Sequence, residues 1–123
     1  MPLKAIFLTL AFFTPQLNAA PPRRILVISA PTAQDPTYIQ QLALLTPRKK
    51  DLAERDITLQ LLTAPTDAAT RHRLHIPETK FTVLLIGKDG AEKLRQHTLI
   101  TIETLNQTVD EMPMRQQEVR NKK

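Results

Sequence analysis

The order of its apolar runs predicts an α/β protein on a four-stranded mixed sheet, β-α-β-α-β-β-α. Three observations carry this expectation. Ile25-Leu26-Val27-Ile28 and Val83-Leu84-Leu85-Ile86 are continuous, branched apolar runs, the pattern of strands covered on both faces. A helical apolar stripe after the first run is long enough to carry a parallel, right-handed crossover. Asp89-Gly90 supplies the positive backbone angle of a tight hairpin after the later run.

Each element has its own local warrant. Arg24 to Ala30 is the first strand, ended by Pro31. Asp35-Pro36 opens a helix, an N-cap acceptor followed by proline at the first helical position. Tyr38, Ile39, Leu42 and Leu45 recur at helical spacing, and Pro47 ends or kinks that helix. Arg48 to Asp56 resumes as a polar turn or second segment. Ile57 to Thr63 is the second strand, with Ile57, Leu59 and Leu61 facing one way and the partial alternation of an edge. Thr66 is placed to cap a short helix from Asp67 to about Leu74, before the loop that Pro77 forces.

Phe81 to Ile86 is the third strand, and Ala91 to Gln96 returns as a charged edge. Thr101 caps the last helix, Ile102, Leu105, Val109 and Met112 form its stripe, and Pro113 stops it. Placing the two all-apolar strands in the middle gives the order 2-1-3-4 with helices on both faces. That is the thioredoxin-like arrangement.

Composition narrows the chemistry. With 123 residues and no cysteine, the chain is one modest domain without thiolate nucleophiles, disulfides or Cys-held metal clusters. Residues 1–19 read as a signal peptide: Lys4 is the positive start, Ala5 to Phe13 the short apolar core, and Ala19-Ala20 the cleavage site. That core falls far short of the ~20 residues that span a bilayer. The expected mature chain is therefore periplasmic or secreted. Its formal charge is +4, from 16 basic and 12 acidic residues, and residues 115–123 hold +3 of it. The expected division is signal 1–19, domain 20–114 and basic tail 115–123.

Three stretches form a recognisable set: Gln41 to Leu45 leading to Leu52-Ala53-Glu54-Arg55-Asp56; Phe81 to Gly90 with Lys93-Leu94-Arg95; and Asp110-Glu111-Met112-Pro113-Met114-Arg115-Gln116-Gln117-Glu118. Together they resemble the family called domain of unknown function 4174, small exported bacterial proteins. That family is related to the peroxiredoxin-like module of equarin and of sushi-repeat-containing extracellular proteins. The resemblance implies a thioredoxin-like fold and an extracytoplasmic location. It implies no activity, so function is argued from the residues.

Redox proteins of this fold keep their thiol where the first helix begins, which here is Ser29 to Asp35. Ser29 and Thr32 have no adjacent base to ionise a hydroxyl, and Lys80-Phe81 stands where redox members carry a proline. Pro31, Thr32 and Asp35 shape the turn and cap the helix, with a contact to a small anion or peptide as the alternative. His72 and His75, three apart and near Glu78 and His97, offer too few placed ligands for a metal. No phosphate-binding glycine loop or stacking aromatic set exists, which argues against nucleic acid.

Arg48-Lys49-Lys50 reads as a solvated face beside Asp51, Glu54 and Asp56. Met112, Met114 and Arg115 combine apolar surface with fixed charge, so they either dock onto the sheet edge or form a partner patch. The leading expectation is a non-catalytic binding module without cofactor, engaging a protein or envelope component. A non-thiol enzyme at the first helix and a cationic surface binder through the tail are the alternatives.

Overall fold

The computed structural model describes residues 22–122, so the expected signal peptide and its Ala19-Ala20 cleavage site lie outside the described residues. Its sheet is built from β1 (Arg24–Ala30), β2 (Ile57–Thr63), β3 (Thr82–Ile86) and β4 (Glu92–Gln96), in the order β2-β1-β3-β4. β1 runs parallel to β2 and antiparallel to β3, and β3 runs antiparallel to β4. The helices are α1 (Pro36–Leu45), α2 (Lys49–Glu54), α3 (Ala68–Leu74), α4 (Ile102–Asp110) and α5 (Pro113–Asn121).

Two cores of unequal size cover the sheet. Leu26, Ile28, Ala30, Val83 and Leu85 point into the larger one, where α1, α2 and α4 contribute Tyr38, Leu45, Leu52, Ile102, Leu105 and Val109. Val27, Leu62 and Leu84 point the other way, against Ile76 and the partly buried Leu74 at the end of α3. Burial on both faces is why β1 and β3 carry no polar alternation.

Local chemistry sets most boundaries. Asp35 Oδ1 accepts from the backbone N–H groups of Thr37 (2.8 Å) and Tyr38, and opens α1. Pro47 tightens the chain into a 3-10 turn at Thr46–Arg48 before α2 resumes. Buried Gln41 fastens α1 to the start of α4: its amide donates to Ile100 O (3.0 Å) and accepts from Ile100 N (2.8 Å). Thr101 caps α4 through Thr104 N.

Two expectations need correction. Thr66 does not cap α3; its hydroxyl donates to Thr63 O, and Asp67 occupies the cap position in a left-handed conformation. Arg71, on α3, is buried, with Glu78 3.7 Å away. Pro113 follows the end of α4, as expected, but the chain beyond it is helical rather than a tail. α4 stops at Asp110, Met112 is extended, and Pro113 begins α5, because a fixed φ and a missing N–H suit the first helical position. The boundary expected between Met114 and Arg115 falls inside this helix.

Candidate functional site

The sheet has two poles, separated by the length of β1, about 20 Å. At one pole β1 ends and α1 begins. There Asp35 spends its carboxylate on the first turn of α1, and Thr32 Oγ1 accepts from Gln34 N, so both side chains serve the turn. Pro31 is half-buried beside them. Ser29 is fully buried and sits opposite Thr82 in the β1–β3 register. His97 Nδ1 lies 3.1 Å from Phe81 O and 3.2 Å from Thr82 Oγ1. A carbonyl can only accept, which assigns the proton to Nδ1. No solvent-accessible nucleophile with an adjacent base results from this arrangement. Among the described residues, no three His, Asp or Glu side chains converge on a metal-sized site.

The opposite pole holds a dense ionic assembly. Arg24, 1% exposed at the start of β1, donates to Arg55 O (2.8 Å) and forks onto both carboxylate oxygens of Glu118 in α5 (3.2 Å each). Lys88, in the β3–β4 turn, stands 2.7 Å from the same Glu118 and donates to Asp56 Oδ2 at 2.8 Å. Arg115 donates to Glu54 O, Glu54 Oε2 and Asp110 Oδ1, while Arg55 forks onto Asp110. Four cations and four carboxylates thus tie α5 to β1, the end of α2, the end of α4 and the hairpin. Bidentate guanidinium pairing gives the assembly its fixed geometry.

The charges respond as this geometry requires. The hydrogen bond from Lys88 holds the Asp56 carboxyl below the usual carboxylate range. Burial pushes Glu118 up, but the hydrogen bonds from Lys88 and Arg24 outweigh it and leave it lowered. Lys88 is opposed by its own burial, yet Asp56 and Glu118 raise it above the ordinary lysine value.

Docking α5 in this way shapes two adjoining grooves that share Lys88 and Met114. One, of about 240 Å³, runs between the hairpin and the α4–α5 corner and is lined by Lys93, Asp89, Met112 and Pro113. The other, of about 300 Å³, lies toward Pro22, Arg23, Asp56 and Glu118. Met112 packs half-buried against the main core, Met114 stays 46% exposed between the grooves, and Arg115 is buried. The three residues expected to act together therefore split: Arg115 anchors, Met112 anchors and lines, and Met114 presents surface. Sequence reasoning missed Arg24, Lys88 and Glu118. The available signal was an arginine at the head of a strand otherwise buried throughout, where a lone charge demands a partner.

The family model described as domain of unknown function (DUF4174) matches residues 18–118. The chain belongs to this family. Among curated proteins it is similar to the sushi repeat-containing protein SRPX, at 31% identity in Rattus norvegicus and 30% in Homo sapiens, over 79% of this chain. The match spans only 24% of each relative's length, so the chain corresponds to about a quarter of those proteins. Among solved structures, StoA from Bacillus subtilis superposes with a TM-score of 0.58 at 10% identity, covering 72% of this chain and 84% of that one. Trxlp from Edwardsiella tarda EIB202 gives 0.57 at 21% identity, covering 80% and 90%. The fold is thioredoxin-like, and this family member carries it without a single cysteine.

Proposed function

We propose that this chain is an exported, non-catalytic binding module that engages a protein or envelope partner at the α5 pole, not at the start of α1. One observation carries the reading. The Arg24–Glu118–Lys88 assembly holds α5 in place and leaves Met114 exposed over two grooves rimmed by fixed charge. An apolar side chain presented from a fixed helix and ringed by oriented polar groups is the kind of feature on which binding energy concentrates. At the other pole the polar groups that a ligand would meet are already used by the turn. The chain lacks the thiol chemistry of redox proteins, and among the described residues no helix is long and apolar enough to cross a membrane.

The charge of Arg115 bears on the cationic alternative. Asp110 and Glu54 neutralise it inside the fold, which leaves Arg120 and Lys122 as the outward cations of the described C-terminal segment. That is a thin basis for a surface binder, because attraction to an anionic surface grows with each exposed charge.

Two charge substitutions test the proposal by affinity capture from an extracytoplasmic extract. Met114→Asp should lose the captured partner at least tenfold, and Thr32→Asp should retain it. Loss with Thr32→Asp and retention with Met114→Asp would move the working surface to the α1 pole.

A further inference from the structure

The outer edge of β2 differs from the outer edge of β4. β4 carries Glu92, Lys93 and Arg95, and its pairing with β3 is interrupted by an irregularity at Leu85/Ile86. Charge and bulges of this kind discourage a sheet edge from pairing with another chain. β2 has neither: Ile57 to Thr63 holds no charge and no proline, and its register with β1 runs without a break.

The backbone hydrogen bonds say which groups this edge leaves open. Arg24 N donates to Asp56 O at one end and Ala64 N donates to Ala30 O at the other. The even-numbered residues of β2 therefore face β1, and the odd-numbered residues turn their N–H and C=O outward. Arg23 reaches Ile57 O at 3.4 Å, and the Thr66 hydroxyl covers Thr63 O at 2.6 Å. Between them, Leu59 and Leu61 keep both backbone groups without a hydrogen bond from the described residues. Open residues two apart are what one antiparallel twofold pairing needs. A twofold axis at Gln60 sets Leu59 against Leu61 of a second copy, and four N–H···O bonds close.

Charge points to the same occupant. Ile57 to Thr66, which holds β2, contains no charged residue, in a chain that is 24% charged with a net +5. Two copies carrying the same net charge repel wherever their cationic surfaces meet, so self-association favours an uncharged flank. Leu61, a large apolar side chain, is left 43% exposed to water at this edge.

We infer that two copies of this chain associate through β2 edges, paired antiparallel about Gln60 into one continuous eight-stranded sheet. The complete absence of cysteine makes the register directly readable. Sedimentation of the protein at about 100 µM should give twice the chain mass. Gln60→Lys, which sets two ammonium groups against each other across the axis, should weaken association at least tenfold while circular dichroism is unchanged. Gln60→Cys introduces the sole thiol and should crosslink to a covalent dimer under mild oxidation, whereas Gln107→Cys on α4 should not. A parent chain that sediments as a monomer at this concentration overturns the inference. So does a Gln60→Cys chain that crosslinks no faster than Gln107→Cys.

Discussion

Glu118 receives both Nη groups of Arg24 and the ammonium of Lys88, so a single carboxylate bridges two cations at the foot of the sheet. Replacing it with Gln leaves Arg24 buried with only Arg55 O as a strong acceptor. Glu118→Gln should cost about 2 kcal/mol in urea unfolding, less than a fully buried pair would lose because Glu118 keeps some contact with water. Asp35 has the more local duty of capping α1; Asp35→Ala should cost about 1 kcal/mol. The glycines separate two kinds of constraint. Gly90 has φ +83° and open space around it, so Gly90→Ala costs about 1 kcal/mol through the backbone alone. A Cβ at Gly87 would meet Lys93 Cε at 2.5 Å, Asp89 Oδ1 at 3.0 Å and Lys93 Cγ at 3.3 Å, so Gly87→Ala acts through side-chain crowding rather than the backbone and should be milder once those side chains shift. Equal losses at the two positions would contradict this distinction.

At the scale of elements, the four strands, their order and the helices α1 and α4 were legible because each rests on local periodicity, a cap or a turn residue. Helix α5 was not legible as a structured element. Its stretch Pro113 to Asn121 is polar, and what holds it is Arg24, 94 residues from Glu118, together with Glu54, 61 residues from Arg115. Proline gave a second ambiguity: the same residue that ends one helix is suited to begin the next. The burial of Arg71 was not legible for a related reason, since it depends on α3 lying over the second face of the sheet. The site followed suit. Met112, Met114 and Arg115 were visible as an unusual segment, but the division into anchors and exposed surface depends on side chains brought from β1 and the hairpin. Arg115→Ala, which leaves the Glu54 carbonyl without its buried donor and Asp110 with Arg55 alone, should lower the melting temperature by several degrees. A melting curve unchanged by it would mean that α5 contributes nothing to the folded body.

Across the whole molecule, the ionic pole makes stability depend on pH at both extremes. Asp56, Glu118 and Asp110 are all lowered in the folded state. A lowered carboxyl contributes stability above its unfolded value, near 4, and loses it as pH falls through the folded value. Lys88 is raised, so its contribution is complete below the unfolded lysine value and fades as pH climbs through the folded one. The melting temperature should be flat between about pH 5 and 10 and fall on either side, and Glu118→Gln should flatten the acid limb. An acid limb unchanged in that variant would remove Glu118 from the account. The larger claim is that this thioredoxin-like fold, lacking a thiol, works from the pole opposite the start of α1. Photo-crosslinking tests it most directly, with a photoreactive residue placed in turn at Met114 and at Thr32 of the chain in living cells. The account predicts a discrete adduct from position 114 and none from position 32. An adduct from position 32 alone would contradict it.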